Sequence, residues 1–369
     1  MNFLDEPAAI SDFLRSLHGA PAIAVDTEFM WQHTYRPIPA LLQFSAAGRT
    51  ALIDATRLED AAALRLLLED RDTLKILHSC EQDLLVFHML CGGRISPVFD
   101  TQVAHAFSGG PLQASYAKLA SELLGVTIEK DEQNSDWLRR PLSDKQLAYA
   151  ANDVLHLEAA QAALVMRLKE SGRASWFKEE SRRFDTAEIY NNDKPEDTWL
   201  KLSFAPFLAR KDQPLALELC AWRERTARKV DLRPRRLLTD DQIGDILRHR
   251  PATLQALAQT PEIHDKVLKR HGAEILAVLD AAAKMPLDNL PPLPLSDRID
   301  KTMKEKFDAF AKDVDAAAVE VKLDSSLLAS RGRLRAAMAA WLAGQPYAEP
   351  QGWRAEILMP VYQKHLPRN

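Results

Sequence analysis

The stretch AIAVDTEFMW, residues 22–31, has the composition of a buried β-strand but carries two carboxylates, Asp26 and Glu28. Side chains two residues apart on a strand point to the same face of the sheet. Asp26 and Glu28 would therefore stand side by side, and two adjacent negative charges need either a bound cation or a solvated strand end. The strand alone leaves both interpretations open, because acidic pairs at water-facing strand ends are common.

Length and composition limit the class of protein. A chain of 369 residues predicts two or three domains, each able to bury its own core. The net charge of −4 excludes a global basic field for nucleic acid, although a local basic patch can lie within a neutral total. The three cysteines form no C-x-x-C pair, which argues against a disulfide framework or a thiolate zinc site and fits a reducing cytoplasm. The acidic N-terminus does not resemble a signal peptide, and no apolar run reaches the length of a membrane span.

The first half of the chain predicts an α/β domain. Strands are expected at 22–25, 40–44 and 51–53, then a helix at 58–69, a strand at 73–79 and a helix at 80–90. This β-β-β-α-β-α order predicts a mixed sheet with flanking helices. Further helices are expected at 101–108, 115–124 and 143–171, and Ser143 with Gln146 forms a capping box at the start of the last one.

The second half predicts two all-helical segments. A charged, proline-bearing connector spans about 172–212, and a helix at 214–229 opens the first segment. Thr239 and Gln242 form a capping box for its next helix. A proline-rich break, MPLDNLPPLPL at 285–295, precedes a third segment that is again helical.

A third carboxylate, Asp83, lies in HSCEQDLLVFH, residues 78–88. Ser79 and Gln82 have the spacing of a helix cap and its capping box. Asp83 shares a helical face with Val86, a face that should pack on the sheet, so the sequence places a charge on the inward side. Stabilisation of the helix N-terminus by a negative charge is the alternative role.

A fourth carboxylate, Asp153, follows Tyr149 by four residues in RPLSDKQLAYAANDV, residues 140–154. At this spacing the two side chains lie on the same helix face. A plain hydrogen bond between them would need no catalytic explanation.

Together these residues resemble the DEDD exonucleases of the tyrosine subgroup, which have two acids on an early strand, one on a helix and a Tyr-x-x-x-Asp pair on a later helix. Over about the first 205 residues, the chain contains five motifs similar to those of the bacterial ribonuclease D family. They are AVDTEF, LLQFS, HSCEQDL, FDTQVA and DWLRRPLSDKQLAYAANDV. WRERTARK and RRLLTDDQI are similar to the HRDC modules of that family. The resemblance implies an RNase H-like exonuclease domain at 1–205, an HRDC domain at 210–285 and a degenerate second HRDC-like domain at 295–369.

The resemblance also implies the catalytic site. Asp26, Glu28, Asp83 and Asp153 would bind two divalent metal ions, Mg²⁺ or Mn²⁺, with Asp26 as the bridge. An all-carboxylate set without sulfur or clustered imidazole independently suits hard cations rather than Zn²⁺. Tyr149 would orient the attacking water rather than deprotonate it, because an unperturbed phenol has a pKa of about 10.

Contacts to nucleic acid are predicted outside the carboxylate set. Phe29 could stack on terminal bases, with burial in the core as the alternative, and Arg140 could hold a phosphate, with a salt bridge as the alternative. The basic segment 222–236 predicts backbone phosphate contacts, with a solvated helix face as the alternative. The residues predicted there are Trp222, Arg225, Arg228, Lys229, Arg235 and Arg236.

The function implied by the resemblance is 3′ to 5′ exoribonuclease activity that releases nucleoside 5′-monophosphates. It further implies a cytoplasmic monomer without membrane attachment that acts on RNA 3′ ends such as those of tRNA precursors. A DNA exonuclease of the same superfamily is an alternative, because metal chemistry by itself does not choose RNA over DNA. A catalytically silent RNA-binding protein is the other alternative, which the presence of all four carboxylates and Tyr149 disfavours.

Overall fold

The computed structural model describes residues 2–129, 131–186, 190, 194–288, 290, 291, 293 and 301–367. The chain divides into two compact units. The first comprises Met1–Met30, Ile38–Tyr190 and Ile299–Asn369, and the second comprises Trp31–Pro37 and Asn191–Arg298. Among the described residues, every helix is too short or too polar to cross a lipid bilayer.

One mixed sheet forms the centre of the first unit. Its strands are β1 (Asn2–Leu4), β2 (Ala22–Met30), β3 (Ile38–Ala46), β4 (Arg49–Asp54), β5 (Leu74–Leu77) and β6 (Val98–Asp100). The strand order is β1-β4-β3-β2-β5-β6, in which β3 pairs antiparallel with β2 and β4 and the other pairs are parallel. The predicted α/β class with a mixed sheet is thus confirmed. The pattern missed β1 and β6 because three residues are too few to establish a period.

The helices that surround the sheet are α1 (Pro7–Ser16), α2 (Ala61–Glu69), α3 (Glu81–Cys91), α4 (Thr101–Phe107), α5 (Tyr116–Leu124), α6 (Asp144–Leu155), α7 (Leu157–Glu170) and α8 (Ala174–Ser181). The predicted single helix at 143–171 is wrong, because the chain leaves helical geometry at His156. Both halves contact β2, but α6 packs mainly on β2, β3 and β4, whereas α7 packs mainly on α4 and α5. The predicted capping box of Ser143 and Gln146 is present.

The second unit is helical in the described residues. Its helices are α9 (Gln213–Val230), α10 (Pro234–Leu237), α11 (Asp240–His249), α12 (Leu254–Leu257) and α13 (Asp265–Ala283). They enclose a core that includes Trp199, Leu219 and Ile275. The predicted capping box of Thr239 and Gln242 is present. Residues 187–189 and 191–193 of the predicted connector lie outside the described residues.

The C-terminal helices α14 (Lys301–Glu320), α15 (Ser325–Leu328), α16 (Arg331–Leu342) and α17 (Trp353–His365) belong to the first unit. Trp353 is buried, its ring centroid lies 4.9 Å from that of Phe107, and it stacks on Trp176 at 5.6 Å. The segment predicted as a third domain at 295–369 therefore shares a core with the α/β domain. Residues 295–300 lie outside the described residues, and the similarity of this segment to HRDC domains stays a prediction.

Candidate active site

The first two carboxylates lie on the central strand. Asp26 is opposite Gln43 of β3, so the two side chains project from the same face. On its other side, β2 pairs with β5 only as far as Ala24. Beyond Ala24 this side of β2 has no partner strand among the residues that the structure describes, and α3 follows β5 closely in the chain. The early end of β5 therefore leaves space beside Asp26 and Glu28 for a side chain from α3.

Asp83 of α3 occupies that space. It is only 7% exposed, and its Oδ1 accepts a hydrogen bond of 2.5 Å from Thr27 Oγ1. The burial of Asp83 on an inward helix face is as the sequence predicted. The prediction that Ser79 caps this helix is wrong, because Cys80 occupies the N-cap position and Ser79 adopts a left-handed conformation with φ of 59°.

Asp100, which the sequence analysis did not identify as important, fixes the turn before α3. Its buried carboxylate accepts hydrogen bonds from the backbone N–H groups of Ser79 at 3.3 Å, Cys80 at 2.9 Å, Gln102 at 2.8 Å and Val103 at 3.0 Å. It thus caps α4 and holds the turn that leads to Asp83. An Asp immediately before a predicted helix, as in FDTQVA, is the signal that could have identified it.

Helix α6 supplies the remaining two residues. Tyr149 and Asp153 are close on one face of the helix, and burial followed by the charge of Asp153 raises the pKa of the Tyr149 hydroxyl. The ring of Tyr149 lies 6.0 Å from the buried ring of Trp137, which packs beneath α6. The Tyr-x-x-x-Asp pair is therefore oriented toward the carboxylates of β2.

Three of the four carboxylates form one close cluster, and Asp83 lies outside it. Single oxygens of Asp26, Glu28 and Asp153 lie within 4.8 Å of one another. Burial, followed by the charge of Asp83 and of the other two acids, raises the pKa of Asp26 well above its usual range. Burial and the neighbouring carboxylates also raise the pKa of Glu28 to about 9 and that of Asp153 to about 7. Burial raises the pKa of Asp83 to about 7 despite the Thr27 hydrogen bond. A cluster of this kind is unfavourable when ionised, unless a cation compensates the charge.

The cluster opens into a cavity of about 360 Å³. Besides Asp26, Glu28, Tyr149 and Asp153, its walls include His78, Ser79, Gln102, Ser115, Tyr116, Ile128, Glu129 and Gln133. The Tyr116 hydroxyl is buried, and burial raises its pKa. Tyr116 could not be predicted from the sequence, because one tyrosine at a helix start carries no distinctive spacing.

Two residues predicted to contact RNA lie elsewhere in the first unit. Arg140 donates two hydrogen bonds, of 2.6 and 2.7 Å, to the carboxylate of Asp54, so the salt-bridge alternative describes it. Although burial raises the pKa of Asp54, the hydrogen bonds from Arg140 and Thr56 lower it overall. Phe29 is half-buried next to an irregularity in the β2–β3 pairing and is absent from the wall of the cavity. Its contact with a terminal base stays a prediction.

The predicted basic patch of the second unit is largely neutralised. Trp222 is 7% exposed and donates its Nε1–H to Glu274, so it is not available to RNA. The ion pairs of this segment are Arg223–Asp240, Arg225–Glu196, Arg225–Glu218, Arg228–Glu224 and Arg235–Asp240. Lys229 and Arg236 form no ion pair with any residue that the structure describes. The segment therefore carries less unpaired positive charge than its sequence indicates.

Comparisons with known proteins agree with this arrangement. Residues 1–169 match the 3′–5′ exonuclease family, and residues 212–279 match the HRDC domain. The chain is 30% identical over 362 residues to ribonuclease D of Pseudomonas paraeruginosa, which covers 96% of this chain and 95% of that protein. It is 31% identical over 358 residues to ribonuclease D of Escherichia coli, with 95% and 94% covered.

A solved structure extends the similarity to three dimensions. The crystal structure of Escherichia coli RNase D, described as an exoribonuclease involved in structured RNA processing, superimposes with a TM-score of 0.88 at 29% identity and covers 98% of both chains. The catalytic core of RRP6 from Trypanosoma brucei shares the fold, with a TM-score of 0.60 at 20% identity over 76% of this chain and 79% of that chain.

Proposed function

Because the chain belongs to the ribonuclease D family and is an exoribonuclease, we propose that it hydrolyses phosphodiester bonds at RNA 3′ ends in the cavity beside Asp26, Glu28, Asp83 and Asp153. The observation that carries this assignment is the cluster of half-buried carboxylates with raised pKa values, which opens into that cavity. Groups with strongly perturbed pKa values in a cleft are typical of functional sites.

The donor set fits divalent cations, and we propose two Mg²⁺ or Mn²⁺ ions held by these four acids. Every donor is a carboxylate oxygen, which hard cations prefer, and the repulsion among the acids favours compensation by positive charge. Such ions polarise the phosphodiester and acidify water when they are bound. Asp26 would bridge the two ions, as the family resemblance implies, and this fits the pKa of its carboxylate, which burial and then the charges of the other three acids raise.

Tyr149 is proposed to position the attacking water. Burial and the charges of Asp153 and Glu28 raise the pKa of Tyr149 above its usual value, so the phenol keeps its proton at neutral pH. A protonated hydroxyl can donate and accept hydrogen bonds, but it is a poor general base. A hydrogen bond from the Tyr149 hydroxyl to Asp153, one turn further along α6, would fix the orientation of the ring.

The products are proposed to be nucleoside 5′-monophosphates, and the substrates to be structured RNAs such as tRNA precursors. The description of the Escherichia coli relative as an enzyme of structured RNA processing supports this substrate class. The free thiols of Cys80, Cys91 and Cys220 are compatible with the proposed location in a reducing cytoplasm. Action as a monomer stays a prediction.

The test is digestion of 5′-labelled single-stranded RNA and DNA oligonucleotides by the full-length protein with Mg²⁺, with Mn²⁺ and with chelator. A metal-dependent ladder that shortens RNA from its 3′ end, with release of mononucleotides, is expected. Digestion of DNA alone would favour a DNA exonuclease of the same superfamily. RNA binding without a ladder under any metal would instead indicate a binding protein with a silent site.

A further inference from the structure

A second cavity, of about 330 Å³, lies within the helical unit, and all of its lining residues except His33 come from 232–271. Its apolar floor consists of Leu232, Leu237 and Val267. Its polar rim consists of three cations and three histidines, namely Arg236, Lys266, Arg270, His33, His264 and His271. Leu232 keeps 36% of its surface exposed, so the floor is accessible from solvent.

The rim carries unpaired positive charge. Within the described part of the chain, Arg236, Lys266 and Arg270 form no ion pair, and no acidic residue lines the cavity. By contrast, Arg225 and Arg228 nearby in the sequence are paired with carboxylates. Three cations without an ion pair to a described residue, Arg236, Lys266 and Arg270, are thus grouped around an apolar surface, whereas the similarly unpaired Lys229 of α9 lies outside this cavity.

Two rim histidines are held with a donor available to a ligand. His33 Nδ1 lies 3.4 Å from Arg236 Nη2, and a guanidinium can only donate, so His33 carries its ring proton on Nε2. His264 Nδ1 accepts the backbone N–H of Lys266 at 3.1 Å, which likewise leaves its proton on Nε2. In the described residues the three rim histidines do not form a metal-binding group. The rim therefore offers N–H donors and cations, which suit an anion.

The segment that carries His33 is fixed before any ligand binds. The Asp231 carboxylate accepts the backbone N–H groups of Tyr35 at 3.1 Å and Arg36 at 3.2 Å. Arg233 donates its backbone N–H to the His33 carbonyl at 3.4 Å. Prior fixation of a binding loop reduces the entropy lost on binding.

We propose that this cavity binds one unpaired nucleotide of the RNA substrate, with the base on the apolar floor and the adjacent phosphates on Arg236, Lys266 and Arg270. An apolar base face and a charged backbone match a floor without polar groups inside a cationic rim. An acidic protein segment is disfavoured because it would have to bring its own flat apolar group to this floor. The inference rests on the proposed exoribonuclease function and adds a docking point for the substrate.

The experiment measures binding of a short single-stranded RNA that contains the fluorescent base 2-aminopurine, with chelator present to stop hydrolysis. The full-length wild type is compared with Arg270→Ala, with Leu232→Ser and with the control Lys269→Ala. Lys269 is the neighbour of Arg270 on α13, carries the same charge and lies outside the cavity wall. Thermal unfolding of each variant verifies that it is folded.

Arg270→Ala should lower the slope of log affinity against log salt by about one unit, because one phosphate contact is lost. Leu232→Ser should leave that slope unchanged and weaken binding about tenfold at every salt concentration, because it removes apolar surface from the floor. It should also reduce the change in 2-aminopurine fluorescence. Lys269→Ala should match the wild type in both measurements.

Equal effects of Arg270→Ala and Lys269→Ala would overturn the proposal, because they would show a diffuse charge effect without a site. Wild-type affinity of folded Leu232→Ser, with an unchanged fluorescence response, would also overturn it, because the base would not touch the floor. Competition by an acidic peptide but not by RNA would identify a protein ligand instead. Wild-type hydrolysis of a short oligonucleotide with Mg²⁺ is recorded separately, so failure of the proposed exonuclease function is distinguishable from failure of the docking site.

Discussion

The same substitution at two buried aspartates should change stability in opposite directions. Asp83 lies among other carboxylates and accepts one hydrogen bond from Thr27, whereas Asp100 accepts four backbone N–H groups. Asp83→Asn removes a negative charge that its neighbours repel and keeps an oxygen for Thr27. Asp100→Asn replaces an oxygen that accepts N–H groups by an amide that cannot. We expect the first change to stabilise the metal-free protein and the second to destabilise it.

The size of the Asp83 effect follows from its pKa, which burial raises from 3.8 to about 7. A shift of about three units corresponds to at most ~4 kcal/mol of lost stability above pH 7. Because neighbouring acids respond when one charge is removed, we expect Asp83→Asn to gain about 2 kcal/mol, or roughly 4–8 °C in Tm. Asp100→Asn should cost about 2–3 kcal/mol, since buried N–H groups lose their acceptor.

The sign of the pH dependence is a further check. A carboxyl whose pKa is raised in the folded state binds its proton more tightly there, so stability falls as pH rises. For Asp83 this loss starts near pH 4, the usual range of a free carboxyl, and is complete above pH 7. The gain in stability of Asp83→Asn over wild type should therefore be small near pH 4 to 5 and largest above pH 7.

The assay is thermal unfolding of the full-length proteins with chelator across this pH range, followed by the same scans with Mg²⁺ or Mn²⁺. Metal should raise the Tm of wild type more than that of Asp83→Asn, which should also lose nearly all RNA hydrolysis. If Asp83→Asn lowered the metal-free Tm as Asp100→Asn does, the carboxylate cluster would not be electrostatically strained. If it retained wild-type hydrolysis, Asp83 would not belong to the catalytic set.

Three further variants and one control variant test individual roles. Tyr149→Phe should reduce hydrolysis by ~10²-fold while the Tm increase caused by Mg²⁺ is unchanged, and loss of that increase would make the tyrosine a structural support. Arg140→Ala should lower the free energy of unfolding by about 3 kcal/mol at neutral pH, because it leaves the Asp54 carboxylate unpaired. This loss of stability should fade below pH 4 as the carboxyl is protonated. The salt dependence of RNA binding should not change. Trp353→Ala should lower stability by about 3–5 kcal/mol, whereas Val319→Ala, at an exposed position of α14, should be nearly neutral. Equal Tm values for the last two variants would mean that the C-terminal helices do not stabilise the first unit.

Features encoded by short spacings were predictable from the sequence. The side-by-side placement of Asp26 and Glu28 follows from strand alternation, and the Tyr149–Asp153 pair follows from the helical repeat. These rules describe neighbours within one element. That Asp153 meets Asp26 and Glu28 depends on strand order and register, which the resemblance to a known family supplied and local pattern did not.

Features that depend on packing between distant segments were not predictable. The sequence treats 295–369 as a separate domain because proline-rich residues precede it, yet Trp353 lies in the core around Phe107. Local composition reports where a chain can bend, but not which surface a helix will cover. The role of Asp100 was missed for the same reason, since two of its four donors come from the turn before α3.

The positive charge of the helical unit shows that packing between distant segments also decides which residues are available to bind RNA. Counted along the sequence, 222–236 is the most basic segment, and it predicts phosphate contacts over its whole length. The fold pairs most of these arginines with acids, and an arginine with a nearby carboxylate releases fewer counterions when it meets a phosphate. Arg236 forms no ion pair with a described residue, and it lines the same cavity as cations of α13 that are about thirty residues away in the chain. The charge that remains available for RNA is therefore decided by which acids the fold brings close, and the basic run seen in the sequence overstates it.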